Sequence, residues 1–243
     1  MRANNGALMT PTLIVTRPTS QSESFAASVA SVWDGPLNVI ISPLIKIVPV
    51  KVAAPDADAL IFTSANGVDA AIALGLPKGL SAWCVGEKTA RVAKQAGFAP
   101  IIGPGDAEGL VAHIISAQPT GRIAHIRGKH ARGDVCARLN AAGLQCQDVV
   151  AYDQQACPLS VQAVAALNSE NPVVVPLFSP RTGTILSEQG PFVASMHVLA
   201  LSDAVKNAID PTMGWDIEVV SSSDGDAMKQ ATLAAIRRIN MPD

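Results

Sequence analysis

Short apolar runs rich in β-branched residues recur along this chain, and stretches with helical spacing separate them. This alternation is typical of α/β proteins, in which helices cover the faces of a mostly parallel sheet. Apolar residues make up 49% of the sequence, enough to bury both faces of such sheets. Met228, Ala231, Ala235 and Ile239 predict one face of a C-terminal helix. The predicted strands cover residues 13–16, 39–41, 60–63, 82–85, 123–126, 173–178 and 198–201.

Two segments interrupt the alternation, because residues 43–50 and 148–153 have an extended pattern with no helix attached to them. We interpret them as antiparallel linker strands by which the chain crosses between two domains. Domain 1 is then discontinuous and comprises residues 10–42 and 154–243. Domain 2 is inserted into it and comprises residues 51–147.

The same strand-end signals occur twice along the chain, once in each predicted domain. Each domain carries an Arg immediately after a strand and before a helix, a Ser at one turn, and a Gly or Ser at another. In domain 2 these signals follow one another, whereas in domain 1 the Arg precedes the insertion and the other two follow it. This order indicates a duplicated fold interrupted by its own copy. The pairs are Arg17 with Arg127, Ser64 with Ser179, and Gly86 with Ser202.

All of these signals lie where predicted strands end and helices begin. Ligands of parallel sheets bind at this edge, and the free N–H groups at helix starts attract carboxylates and phosphates. We therefore predict a small anionic ligand in a cleft between the two domains. Each residue also has a simpler interpretation, since Ser64, Asn66 and Ser179 can be plain helix caps, Gly86 a tight turn, and the arginines solvated side chains.

Tyr152 is the only tyrosine and lies in the second predicted linker strand. A phenol with a pKa of about 10 stays protonated at neutral pH and can donate a proton to a leaving group. The alternative is an ordinary packed aromatic whose hydroxyl is satisfied. The four histidines form no ligand pattern: His113, His125 and His197 are interpreted as structural, and His130 as part of a possible site loop.

Composition excludes several classes of function. The formal charge is -2, and the few aromatic residues offer little base stacking, so nucleic-acid binding is disfavoured. GxSxG, P-loop, GxGxxG and HExxH motifs are absent from the sequence, which disfavours serine hydrolases, nucleotide-dependent enzymes and zinc proteases. A nucleotide-dependent transferase would also require a Gly-rich first turn in place of Arg17-Pro-Thr-Ser. We expect no cofactor.

Targeting signals and cysteine usage indicate the compartment. The first nine residues lack an apolar signal segment, and no apolar run is long enough to span a bilayer, so we expect a cytoplasmic protein without membrane contact. Met9 is an alternative native start. The cysteines are widely spaced and form neither a CxxC pair nor a metal-ligand pattern, so we interpret all four as reduced core residues. They are Cys84, Cys136, Cys146 and Cys157.

The order and spacing of these motifs resemble the uroporphyrinogen-III synthase family over nearly the whole chain after Met9. The most recognisable stretch is IFTSANGV at residues 61–68, preceded by an opening strand LIVTRP at residues 13–18 and followed by VGEKTA at residues 85–90. Further matching segments are residues 126–128, 141–144, 149–152, 178–179 and 199–202.

The resemblance implies two flavodoxin-like or Rossmann-like domains joined by a two-stranded linker. It also implies a cofactor-independent reaction in which linear hydroxymethylbilane loses water and closes with inversion of its last pyrrole. A monomer, with transient contact to hydroxymethylbilane synthase, is the expected form. Tyr152 is assigned proton donation. Substrate contacts are assigned to Arg17, Thr63, Ser64, Asn66, Gly86, Thr89, Arg127, Gly128, Ser179 and Ser202.

One departure from the family pattern and one rival function bear on these assignments. The family usually carries Gly-Pro-Thr after its late strand, whereas this chain has Ser202-Asp203-Ala204, which adds a negative charge near the expected anion site. The rival is a non-catalytic intracellular sensor that closes on a small anion. Such a sensor would use the same strand-end turns but would not convert hydroxymethylbilane.

Overall fold

A computed structural model describes residues 10–131 and 133–240 of the chain. The alternative start at Met9 lies outside these residues. Contacts group the chain into two compact units. Unit 1 contains the chain up to Lys46 and again from Ala156, and unit 2 contains Ile47–Gln155.

Eleven strands and nine α-helices alternate along the described residues. The strands are β1 (Thr12–Val15), β2 (Asn38–Ile41), β3 (Ile45–Pro49), β4 (Ala59–Phe62), β5 (Ser81–Cys84), β6 (Ala99–Ile102), β7 (Arg122–Gly128), β8 (Gln145–Ala156), β9 (Val173–Leu177), β10 (Met196–Ala200) and β11 (Asp216–Val219). The helices are α1 (Thr19–Ala30), α2 (Ala65–Ala73), α3 (Glu87–Gln95), α4 (Ala107–Ala117), α5 (Val135–Ala141), α6 (Val161–Leu167), α7 (Pro180–Ser187), α8 (Asp203–Lys206) and α9 (Gly225–Asn240).

Unit 1 is built on a five-stranded sheet in the order β11-β10-β9-β1-β2, and every pairing in it is parallel. Parallel strands joined through helices are buried on both faces, which explains why β1 and β9 read as continuous apolar runs. Helices α1 and α9 pack on one face, where Phe25, Val29 and Met228 join Leu13 and Val15 in a single cluster. Burial of each such large side chain stabilises the fold by about 1.5–3 kcal/mol.

Unit 2 is built on a sheet in the order β3-β8-β7-β4-β5-β6. The pairings β8–β7, β7–β4, β4–β5 and β5–β6 are parallel. Alternate residues of β4 enter two cores, with Leu60 and Phe62 on one face and Ala59 and Ile61 on the other. The unit is therefore a second α/β layer with its own core on each face of the sheet.

Strands β3 and β8 form the two-stranded linker. The N–H of Val50 donates to the carbonyl of Ala151, and the N–H of Cys157 donates to the carbonyl of Leu44. Residue numbers rise on one strand as they fall on the other, so the pair is antiparallel. The fold class is confirmed: two parallel α/β sheets, the second inserted into the first and joined by an antiparallel pair.

Several local predictions are settled by these elements. The C-terminal helix is confirmed as α9, with Met228 and Ala235 buried. The edge strands β6 and β11 were not predicted, because Pro100 interrupts the short run of β6 and β11 contains Asp216 and Glu218 among its four residues. No helix among the described residues is long and apolar enough to cross a membrane.

The prediction that all four cysteines are reduced is wrong for one pair. Cys136 and Cys146 form a disulfide, with their Cα atoms 5.0 Å apart. Helix α5 carries Cys136 against the start of β8, so packing brings together two residues whose spacing in the sequence suggested no pairing. Cys84 and Cys157 form no disulfide.

Candidate active site

The carboxyl ends of β4 and β5 lead directly into α2 and α3. Ser64 and Gly86 occupy the N-cap positions of these helices, and neither supplies a side-chain hydrogen bond to its own helix. The first N–H groups of an α-helix have no partner within the helix. Two adjacent helix starts without side-chain caps can therefore accept carboxylate groups.

The Ser64 hydroxyl contacts Tyr152 instead of its own helix. Ser64 Oγ and the Tyr152 phenol oxygen are 2.9 Å apart and share a hydrogen bond. Tyr152 is only 5% exposed. The predicted proton donor and a predicted substrate contact are thus brought together although 88 residues separate them.

A β-bulge aims the Tyr152 side chain. The register of β7 with β8 runs evenly to Arg127 and Val150, and then Gly128 pairs with Tyr152, so that β8 carries one extra residue. Ala151 and Tyr152 are consequently both buried, although successive strand residues normally point to opposite faces. Bulges are frequent beside active sites because they redirect a side chain in this way.

Gly128 provides the room for the phenol ring. A Cβ atom at this position would lie 2.5 Å from Cε2 of Tyr152, closer than real contacts allow. The N–H of Lys129 also donates to the Tyr152 carbonyl over 2.9 Å. The predicted site residue Gly128 therefore serves to seat Tyr152 at the end of β7.

Burial raises the pKa of Tyr152 above its ordinary value. Desolvation is the largest cause, while hydrogen bonds with Ser64 and with the Gly128 backbone lower the pKa and the charge of Asp69 raises it. A raised pKa keeps the phenol protonated through the whole neutral range. Tyr152 is therefore available as a proton donor rather than as a base.

A second polar chain ends at Thr63, next to Ser64. Thr63 Oγ1 and His125 Nε2 share a hydrogen bond of 3.1 Å, and His125 Nδ1 lies 3.1 Å from Asp148 Oδ1. Arg127 Nε lies 2.8 Å from the same carboxylate oxygen. A hydroxyl after β4, an imidazole and a guanidinium of β7, and a carboxylate of β8 are thus linked by successive contacts.

The hydrogen bond from His125 is the largest cause holding the pKa of Asp148 below its ordinary value, and Arg127 adds to it against the opposing effect of burial. Sequence reasoning interpreted His125 as structural and did not consider Asp148. The pairing of β7 with β8 sets His125 directly opposite Asp148. The sequence gives no signal for this contact, because it depends on the register of the two strands.

Arg127 was predicted to follow its strand, and this is wrong. It lies inside β7, which pairs with β8 as far as Gly128. Asn66 lies in the first turn of α2, and Thr89 is buried near the start of α3. Their roles as substrate contacts stay predictions.

In unit 1 the corresponding strand ends are arranged differently. Arg17 follows β1 and stacks over the Phe178 ring, with Cζ 4.1 Å from the ring centroid, while Nη2 donates to Gln21. Ser179 caps its own helix, since its Oγ accepts a hydrogen bond from the Thr182 N–H over 3.2 Å.

Ser202 precedes α8, which has four residues and begins with Asp203. A helix of one turn has a small dipole, and the carboxylate of Asp203 already occupies its positive end. Ser202 and its turn therefore offer a weaker anion site than the start of α2.

The chain was then compared with known proteins. The family model described as uroporphyrinogen-III synthase HemD matches residues 34–226. The fold is similar to that of uroporphyrinogen-III synthetase from Helicobacter pylori, with a TM-score of 0.66 and 14% identity over 93% of this chain and 100% of that one. It is also similar to a mutant uroporphyrinogen III synthase from Thermus thermophilus, with a TM-score of 0.52 and 16% identity over 94% and 99% of the two chains.

No curated protein is significantly similar to this chain in sequence. The identities to the solved structures are low, so those structures speak for the fold. The family match, by contrast, extends over most of the sequence and includes the segments that form the Ser64–Tyr152 contact. The chain belongs to the uroporphyrinogen-III synthase family.

Proposed function

We propose that this protein is a uroporphyrinogen-III synthase, a lyase that converts hydroxymethylbilane to uroporphyrinogen III with loss of water and inversion of the last pyrrole ring. The observation that carries the proposal is the hydrogen bond between Ser64 and a buried, protonated Tyr152 at the start of α2. The product is a precursor in tetrapyrrole synthesis. Proton donation by Tyr152, the role that we assign to it, requires no cofactor.

Binding relies on the acetate and propionate groups of the substrate. The starts of α2 and α3 present N–H groups without side-chain caps, and each helix start attracts an anion by about 0.3–1 kcal/mol. Several weak contacts of this kind suit a flexible polycarboxylate, since they fix its arms without a strongly basic surface. Arg17, Ser179 and Ser202 of unit 1 are proposed as further contacts.

The chemical step begins with a proton. The Tyr152 phenol donates it to the terminal hydroxyl of hydroxymethylbilane, the C–O bond breaks, and water leaves. The pyrrole nitrogen supplies the electron pair that stabilises the remaining methylene cation. The substituted α-carbon of the last ring attacks that cation, and the bond from this carbon to the methylene bridge of the preceding ring then breaks, which leaves a second methylene cation on that bridge. The free α-carbon of the last ring attacks this second cation, and the proton released when the ring regains aromaticity balances the one that Tyr152 gave.

Positioning decides which carbon attacks, because the substrate also closes without an enzyme to the uninverted isomer. Holding reacting groups in a productive orientation can contribute about 7–11 kcal/mol. The bulge at Ala151 and the close approach of Gly128 fix the phenol on one side. The helix starts beside it then determine which substrate arms lie within reach.

The test is the isomer composition of the product. Purified full-length protein is incubated with hydroxymethylbilane, the porphyrinogens are oxidised, and the isomers are separated by chromatography. We expect the type III isomer to predominate, against type I alone in a blank without protein. Type I alone in the presence of folded protein that binds the substrate would favour the anion sensor and overturn the proposal.

Ser160→Ala serves as a control variant. Ser160 caps α6 by accepting a hydrogen bond from the Ala163 N–H and lies outside the proposed site. We expect this variant to keep the wild-type isomer ratio. The proposed monomeric state is checked by sedimentation of the same sample.

A further inference from the structure

Three metal-ligand side chains, those of His125, Cys136 and Asp148, meet on one side of the unit 2 sheet, and Cys146 is bonded to one of them. His125 of β7 pairs directly with Asp148 of β8, and Cys146 precedes Asp148 by two residues, so it points to the same face. Cys136, in the first turn of α5, reaches Cys146 through the disulfide. The cluster belongs to α5 and the β7–β8 pair, and it does not include Tyr152 or Ser64.

The ligand atoms are close to the spacing of a metal site. One ligand atom from each of His125, Cys136 and Asp148 lies within 4.8 Å of the other two. Ligands of a tetrahedral zinc ion with bonds of 2.0–2.3 Å lie about 3.5 Å from one another. These three atoms are therefore near this spacing, and Cys146 Sγ has to join them once its bond to Cys136 is broken.

The surroundings of His125 match those of a metal-bound imidazole. Such a histidine normally donates its second ring N–H to an oxygen, which fixes the tautomer. Thr63 Oγ1 lies 3.1 Å from Nε2 and can accept that hydrogen bond. The lone pair of Nδ1 then faces Asp148 Oδ1 at 3.1 Å, and a bound cation would replace the hydrogen bond that joins these two atoms in the oxidised form. The His125 side chain is only 2% exposed, so its orientation is set by packing.

Charge also balances in the cluster. Two thiolates and one carboxylate carry three negative charges, and a divalent cation together with the Arg127 guanidinium supplies three positive ones. Arg127 contacts both carboxylate oxygens, with Nη2 3.3 Å from Oδ2 and Nε 2.8 Å from Oδ1, the oxygen that also faces His125. His125 and Cys136 are buried while the Asp148 side chain is 37% exposed, so charge compensation matters most around the buried ligands.

A cavity of about 870 Å³ gives access from the surface. Cys146 and Asp148 line it together with Arg122, Asn140 and residues 50–56. A hydrated cation can therefore reach two of the four ligands without unfolding of α5.

We propose that the reduced form of this protein binds one zinc-like divalent cation through Cys136, Cys146, His125 and Asp148. A dithiol reductant breaks the Cys136–Cys146 bond, delivers two electrons and two protons to the sulfurs, and is itself oxidised to a disulfide. Metal binding then releases the proton of each thiol. The oxidised form lacks both thiolates and does not bind the cation.

The experiment uses Co²⁺ as a spectroscopic probe of the full-length protein under anaerobic conditions. After reduction with a dithiol and removal of the excess, we expect one Co²⁺ per chain, a thiolate-to-cobalt charge-transfer band in the near ultraviolet, and displacement of the band by Zn²⁺. The same protein with its disulfide intact is expected to show no band. Absence of the band from the reduced wild type would overturn the proposal without a variant that has to fold.

Variants identify the ligands. Cys146→Ser is expected to abolish the band, and Thr63→Val, which removes the acceptor for His125, is expected to weaken binding about 10- to 100-fold. Cys157→Ser is the matched control, since Cys157 is a partly exposed cysteine that forms no disulfide and lies outside the cluster, and it should leave the band unchanged. A band that persists in Cys146→Ser, or disappears in Cys157→Ser, would place the metal elsewhere. The isomer assay is independent of these results, so failure here leaves the proposed enzymatic function standing.

Discussion

In unit 2 the parallel strands are ordered β8-β7-β4-β5-β6 across the sheet, and in unit 1 the order β2-β1-β9-β10-β11 repeats this arrangement position by position. The chain order differs, because the strands equivalent to β7 and β8 come first in unit 1 and last in unit 2. The two units therefore have the same strand order, but the chain runs through the equivalent strands in a different sequence. Insertion of one copy into the other accounts for this permutation.

The two copies differ at their helix starts. In unit 2 Ser64 leaves α2 without a side-chain cap and bonds Tyr152, whereas in unit 1 Ser179 caps α7 itself. Pro180 also removes one free N–H from the start of α7. The proposed chemistry therefore lies in the copy whose Ser64 contacts Tyr152, whereas Ser179 of the other copy caps its own helix.

The largest expected effect is that of Tyr152→Phe. If unit 2 carries the chemistry, loss of the phenol proton lowers kcat about 10²- to 10⁴-fold, as for other general acids, while KM changes little. Steady-state kinetics with hydroxymethylbilane measure both. Wild-type turnover in this variant would remove Tyr152 from the mechanism and end the functional contrast between the units.

Alanine at Gly67 and alanine at Gly183 should differ in their effect on stability, because Gly67 of α2 packs against β7 whereas Gly183 of α7 packs against α8 and the residues that follow it. A Cβ at Gly67 would lie 2.6 Å from the Ile126 carbonyl oxygen, so Gly67→Ala should lower the free energy of unfolding by about 1–3 kcal/mol. At Gly183 the nearest atom is a side-chain carbon of Ile209 at 3.2 Å, and we expect a change within about 1 kcal/mol. Urea unfolding of both variants tests this, and equal losses would contradict it.

Ser64→Ala and Ser179→Ala should affect different properties. Loss of the Ser64 hydroxyl removes one hydrogen bond from Tyr152, worth about 0.5–1.5 kcal/mol, so turnover should fall about 2- to 10-fold. Loss of the Ser179 cap should lower stability by about 1 kcal/mol. Kinetics and urea unfolding of the pair provide the measurement. A larger loss of turnover in Ser179→Ala would shift the catalytic role toward unit 1.

The smallest expected effect is on the pH dependence. Because the pKa of Tyr152 is raised in the folded protein, its contribution to stability is complete below the unfolded value of about 10 and is lost as the pH rises through the folded value. Turnover should likewise persist to about pH 10 before it declines. Unfolding and rate profiles of the wild type and Tyr152→Phe isolate this contribution, and identical alkaline profiles would contradict it.

Much of the fold could be predicted from local patterns. Apolar runs such as residues 173–178 indicate buried parallel strands, because the period of the pattern follows from burial on both faces. The duplicated Ser and Gly turns indicated two related sheets before any pairing was known. The edge strands β6 and β11 were not predicted, because neither forms an apolar or alternating run long enough to indicate a strand.

Part of the site could also be predicted. Ser64, Gly86, Ser179 and Ser202 all occupy N-cap positions, as their places at predicted strand ends required. The contact between Ser64 and Tyr152 could not be predicted from spacing, because it depends on the bulge in β8. Convergence of the two units on a common ligand stays a prediction.

The sequence by itself determined the alternation of strands and helices, the insertion of one copy into the other, and the residues that begin α2, α3, α7 and α8, because these depend on local periodicity and capping. Tertiary structure alone decided which of those residues meet. The register of β7 with β8 joined His125 to Asp148 and turned Tyr152 toward Ser64, and the packing of α5 joined Cys136 to Cys146. Contacts of this kind depend on pairing between distant segments, which no local pattern encodes.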